Sequence, residues 1–80
     1  MPTILRIRGY RFYFFAEEGS EPPHVHIEKG SGAMKVWLDD TLIASSEKLK
    51  PGEIRVALQL TRKHRSFLLQ SWHEWQKRKD

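Results

Sequence analysis

The hydrophobic period of this chain changes once, and that change limits what it can fold into. Up to about residue 44 apolar side chains recur at every second position; after Pro51 they recur every three or four. A run of period-two segments followed by one helical segment predicts an α+β domain. The expected architecture is a small antiparallel sheet of four to five strands (residues 1–44), one face covered by a long, continuous or kinked C-terminal helix (residues 51–79), within a single domain spanning residues 1–80.

Thr3 to Arg8 alternates, with Leu5 and Ile7 on one side and Arg6 and Arg8 on the other. Gly9-Tyr10 reads as a tight turn, because Gly supplies the positive φ of a short hairpin. The second strand is Arg11 to Ala16, and a loop through Glu21-Pro22-Pro23 follows. Two consecutive prolines cannot donate to a central ladder. His24-Val25-His26-Ile27-Glu28 alternates as a third strand. Lys29-Gly30-Ser31-Gly32 turns into a fourth, Ala33 to Leu38, and Leu42-Ile43-Ala44 reads as an edge strand or the run into the crossover.

In the helical part Ile54, Leu58, Thr61, Leu68, Trp72 and Trp75 step by three and four, and Val56, Leu60 and Phe67 widen the stripe. An unbroken helix of about 25 residues is roughly 40 Å long, whereas a six-residue strand measures about 20 Å. Such a helix overhangs its own sheet. It breaks near Lys63-His64-Arg65-Ser66 or packs against another chain, and the second option is preferred. That makes Leu68, Trp72 and Trp75 the expected interface, with a homodimer through the helix as one outcome.

If Leu5, Ile7, Phe12, Phe14, Val25, Ile27, Met34, Val36 and Leu38 form the apolar floor beneath the helix, strand parity fixes the other face. It carries Arg6, Arg8, Arg11, Tyr13, His24, His26, Glu28, Lys35 and Trp37. Arginine clamps phosphate and aromatic rings stack on unpaired bases, so Arg6, Arg8, Arg11, Tyr13, Lys35 and Trp37 form a candidate nucleic-acid surface. The net charge of +4 fits that reading but is uneven: residues 1–40 hold five Lys/Arg against six Asp/Glu, residues 41–80 nine against four. Solvation of the helix explains the basic half without a partner.

His24, His26 and Glu28 occupy alternate positions at the centre of that face. Three readings stand beside one another. His24 and His26 could act as general acid and base in phosphodiester cleavage, with Glu28 as the third catalytic position and an arginine stabilising charge on phosphorus. Two His and a carboxylate also form a metal ligand set, but alternate strand positions are about 6.6 Å apart, which is awkward for one ion. In the third reading the imidazoles are structural and fill the join between proline loop and sheet. No Gly-rich phosphate loop, serine nucleophile motif or zinc-finger spacing is present, and no metal or cofactor is implied. The absence of cysteine removes disulfides and thiolate metal sites. The longest purely apolar run, Phe12 to Ala16, is far short of the roughly 20 residues that span a bilayer. Met1 to Arg6 lacks the regions of a secretory signal, so a cytoplasmic location without membrane contact is expected.

The segments Gly9-Tyr10-Arg11-Phe12-Tyr13-Phe14, Glu18 to Gly30 with its Glu21-Pro22-Pro23-His24-Val25-His26 core, and Ala33-Met34-Lys35-Val36-Trp37-Leu38 resemble the bacterial domain-of-unknown-function 4160 family. Met1-Pro2-Thr3-Ile4 and Trp72-His73-Glu74 resemble its ends. The resemblance implies a small cytoplasmic protein, often encoded beside a member of domain-of-unknown-function family 2442 in what looks like a toxin–antitoxin arrangement. It implies no catalytic residues; His24, His26 and Glu28 match motif positions only. Histidine-triad nucleotide hydrolases also alternate His on a strand, but with a third His where this chain has Glu28, and that kinship is rejected.

Two expectations follow. The first is a toxin-like, RNA-directed component of a two-gene module, with metal-independent endoribonuclease activity as its catalytic form. The alternative is a non-enzymatic protein- or nucleic-acid-binding module, an antitoxin or regulator acting through the C-terminal helix.

Overall fold

A computed structural model describes residues 3–15 and 21–78. Five strands, β1 (Thr3–Ile7), β2 (Tyr10–Tyr13), β3 (His24–Lys29), β4 (Gly32–Trp37) and β5 (Ile43–Glu47), precede two helices, α1 (Pro51–Lys63) and α2 (Arg65–Arg78). The strands form one antiparallel sheet in the order β1-β2-β3-β4-β5, so the fold is α+β. The second strand is shorter than read from sequence, since Phe14 and Phe15 lie beyond it and Ala16 is outside the described residues. Among the described residues no helix is long and apolar enough to cross a membrane.

The first hairpin turns at Arg8-Gly9, one residue earlier than the expected Gly9-Tyr10. Ile7 pairs with Tyr10, and Arg8 and Gly9 take φ of 54° and 85°. Positive φ at both central positions is what the twist of a two-residue hairpin requires. Arg8 therefore belongs to the turn, where its carbonyl accepts from Lys29 Nζ at 3.5 Å, and leaves the sheet face on which parity had placed it. Pro23 cannot donate, yet its carbonyl accepts from the Leu38 amide at 2.9 Å, extending the β3–β4 ladder on its acceptor side alone.

The apolar floor forms on the expected side. Phe12, Phe14, Val25, Ile27, Met34, Val36 and Leu38 are buried together with Tyr10, and Ala57, Leu60, Leu68 and Trp72 of the helices pack on them. Leu5 and Ile7 lie partly buried at the margin. Phe67 is a correction: it is 48% exposed and does not join the stripe. The last strand is longer than Leu42 to Ala44, pairing as far as Glu47 opposite Ala33, and all five of its residues are exposed. Among the described residues no strand pairs with its outer side.

The chain begins α1 with Pro51, whose missing N–H costs nothing at a first helical position, and the Lys50 N–H donates to Glu53 Oε1 at 2.9 Å. The helical segment breaks at His64, which has φ −106° and ψ 18°. The segment is thus two helices, of 13 and 14 residues, in place of one of about 25. No glycine or proline marks the break in the sequence. Its anchor is Arg65, read from sequence as part of a solvated basic stretch: Nε donates to the Leu38 carbonyl at 2.6 Å and the guanidinium also reaches Asp39 O at 2.9 Å. These bonds hold the start of α2 to the loop after β4. Arg65→Ala removes two hydrogen bonds made by a charged donor, and the expected loss is about 2 kcal/mol. That corresponds to a fall in Tm of roughly 10 °C for a domain this small, read by thermal circular dichroism, with Arg65→Lys recovering only part because an ammonium lacks the planar fork.

Candidate functional site

The face of the sheet turned away from the helices is built from cross-strand rows. Directly paired residues run Thr3, Tyr13, His26, Lys35, Ser45 across all five strands. A second row runs Arg6, Arg11, Glu28, Ala33, Glu47. His24 pairs with Trp37 in a third. The sequence parity thus places Arg6, Arg11, Tyr13, His26, Glu28 and Lys35 side by side, and it fails for Arg8.

Sharing a face does not make these groups equally available. His24 has no exposed surface. It is the first residue of β3, at the margin of the sheet, where its ring centroid lies 4.9 Å from Trp72, 5.7 Å from Trp37 and 5.3 Å from His26. Its Nδ1 donates to the Pro22 carbonyl at 2.9 Å, with Glu21 Oε1 at 3.7 Å. The ring thus ties the proline loop to the sheet, as in the structural reading of the three. A general acid or base must reach the proton it moves, and a fully covered imidazole does not reach one on a bound polymer.

The remaining residues fall into pairs. Arg11 donates to Thr3 Oγ1 at 2.8 Å and to Glu28 Oε1 at 3.0 Å, and its guanidinium carbon sits 4.4 Å from the centre of the Tyr13 ring. Glu28 is therefore an ion-pair partner of Arg11. Among the described residues no group of three His, Asp or Glu side chains is placed to hold a metal ion. Lys35 Nζ contacts Glu21 Oε1 at 2.5 Å and lies 4.7 Å from the Trp37 ring centre. Arg6 is exposed beside Arg11.

Around His26 the face turns aromatic. Tyr13 stacks on it at 5.5 Å with a 25° interplanar angle, and Phe15 meets it edge-on at 4.3 Å. Tyr13 is buried, while Phe15 and His26 keep part of their surface. Next to them an open hollow of about 270 Å³ is lined by Tyr13, Phe15, His26, Lys35, Ser45 and Glu47, with Ala33, Met34 and Ser46 completing it. Ala33 and Ser45, small side chains on neighbouring strands, leave room for it. Sequence reasoning missed Phe15, Ser45 and Glu47. Phe15 shares the parity of Arg11 and Tyr13, a signal that could have found it; Ser45 and Glu47 had none, because β5 was ended at Ala44.

The expected interface residues are also placed. Leu68 is fully buried and Trp72 is 4% exposed. Trp72 packs at right angles on Phe14 at 5.3 Å, and Trp75 lies 5.3 Å from Phe14 and 5.5 Å from Trp72. Leu68 and Trp72 thus serve this chain's own core and offer no surface for a helical dimer; Trp75 is half-buried against it.

The family model described as "Domain of unknown function (DUF4160)" matches residues 9–73, which include β2 to β5, α1 and most of α2. No curated protein and no solved structure matches the chain.

Proposed function

The chain belongs to the DUF4160 family, whose description carries no activity, and from that premise we propose that it is an RNA-binding, toxin-like component of a bacterial two-gene module, acting in the cytoplasm. The observation that carries this reading is the row Tyr13–His26–Lys35–Ser45 on the sheet face opposite the apolar floor, with Arg6 exposed beside it. A sheet face bearing aromatic rings and cations suits single strands, whose bases stack while their phosphates meet Lys and Arg. Cleavage by a His24/His26 pair is left out, because His24 is covered by Trp72 and Trp37. The two-gene setting rests on the family resemblance, with a family 2442 protein as the partner.

The charge on this face predicts how RNA binds. Glu28 and Glu21 already neutralise Arg11 and Lys35, and Glu47 adds a negative charge. Binding should then depend mainly on base contacts, with about two phosphates neutralised and a log–log salt slope near −1.4 at ~0.7 per single-strand phosphate. Anisotropy titrations of a labelled, unstructured RNA of roughly 10 nucleotides measure it. Arg6→Glu combined with Lys35→Glu is expected to weaken binding at least ~10-fold, with the RNA intact after incubation. Absence of binding by the wild type, or an unchanged affinity in the double variant, overturns the reading. Cleavage that disappears in His24→Ala/His26→Ala would restore the ribonuclease. In cells, expression alone should slow growth and the neighbouring gene product should relieve it; unchanged growth removes the toxin role.

A second reading, a protein-binding module, is favoured by a different surface from the C-terminal helix. The exposed β5 edge, Ile43–Glu47, carries neither Pro nor Lys to block strand addition. Co-purification with the family 2442 protein, lost on Ser45→Pro, would support it.

A further inference from the structure

We propose that the hollow between His26 and β5 is a base pocket that prefers guanine, with Glu47 as the residue that reads it. The inference rests on the RNA-binding reading and names the chemistry of the same face. At about 270 Å³ the hollow is smaller than the roughly 300–1,000 Å³ of sites for drug-sized ligands, which suits a single planar base. Phe15 and His26 supply aromatic surface on one side, Ala33 leaves the floor low, and Lys35, already paired with Glu21, stands beside it. The exposed residues of β5, the last strand of the sheet among the described residues, let a base enter from its edge.

The polar wall sets the preference. Glu47 is exposed and makes no hydrogen bond or ion pair among the described residues, and it stands beside the hollow opposite Ala33. A carboxylate offers only acceptors. Guanine presents two adjacent donors on one edge, N1–H and the N2 amino group, and can satisfy both oxygens. Uracil presents a single N–H between two carbonyl oxygens, which would face the carboxylate. Adenine and cytosine present one amino group beside a ring acceptor. A bidentate contact of this kind discriminates by at least about fivefold.

The test follows backbone amide shifts of the full chain while guanosine monophosphate, uridine monophosphate or inorganic phosphate is added. Guanosine monophosphate is expected to shift the amides of residues 13–15, 26, 33–35 and 45–47, binding at least about fivefold tighter than uridine monophosphate, with phosphate alone leaving them in place. Glu47→Gln is exposed and should melt with the wild type while losing the guanine preference. Equal affinity for the two nucleotides, or a preference that survives Glu47→Gln, overturns the proposal. A parallel titration separates this from the parent reading. RNA that binds equally with and without an abasic site in place of its guanosine overturns the pocket and leaves the RNA face standing. Nucleotide binding without RNA binding supports the pocket and overturns the RNA face.

Discussion

Trp72→Ala is expected to remove a third or more of the stability of this domain. Its ring packs on Phe14, His24 and Trp75 and is 4% exposed. Truncating a buried Trp costs about 3–5 kcal/mol in lost transfer energy and residual cavity. An 80-residue domain has only about 4–12 kcal/mol in total at 0.05–0.15 per residue. Urea denaturation followed by far-ultraviolet circular dichroism should show the midpoint fall by a third or more, or the folded baseline vanish. Trp72→Phe, which keeps an aromatic ring against Phe14, should recover part of the loss. If Trp72→Ala instead melted with the wild type and altered only the association state in sedimentation, Trp72 would belong to an interface after all.

The second large effect lies at Gly32, for steric reasons. A Cβ built there would stand 2.3 Å from the Lys48 carbonyl oxygen and 2.6 Å from Leu49 Cδ2. The nearer obstacle is backbone, just after β5 and held by Lys48 at a φ of 57°, so it cannot rotate aside. Gly32→Ala must separate the first pair of β4 from the segment entering α1, at a cost of about 3 kcal/mol, the upper end for overpacking. A drop of roughly 15 °C in Tm follows. Gly52 is the control, since a Cβ there meets nothing within 4 Å. Gly52→Ala, in the first turn of α1, should be neutral or stabilise by up to about 1 kcal/mol.

Much of the sheet was legible because its signals are local. Alternation over Thr3–Ile7, His24–Glu28 and Ala33–Trp37 set both strand identity and face, and the floor from Phe12 to Leu38 formed as the pattern required. Arg8 broke parity because a two-residue hairpin draws its central pair out of the ladder. The extent of β5 was not legible, since Ala44-Ser45-Ser46-Glu47 carries almost no hydrophobic pattern. Those residues pair because β4 offers an open ladder beside them.

Side-chain availability was beyond what periodicity can give. His24 and His26 have the same parity, yet one is covered and the other lines a hollow. The difference comes from Trp72, almost fifty positions away, and only packing brings them together. Arg11 and Glu28 likewise become an ion pair through a register that places two strands opposite each other. The helix break has the same origin: nothing in Lys63-His64-Arg65-Ser66 forbids a helix, and Arg65 is held by carbonyls from the loop after β4.

What the sequence determined by itself is the family, the α+β class, the strand faces and the apolar floor. Each of these is written in contiguous residues, as a motif or as a period of two or of three to four. What only the tertiary structure decided is which groups on the open face remain accessible, that Leu68 and Trp72 fill the core, and that a hollow lies between His26 and β5. Those depend on residues far apart in the chain meeting in space, and a one-dimensional pattern carries no information about which of them shield one another from water.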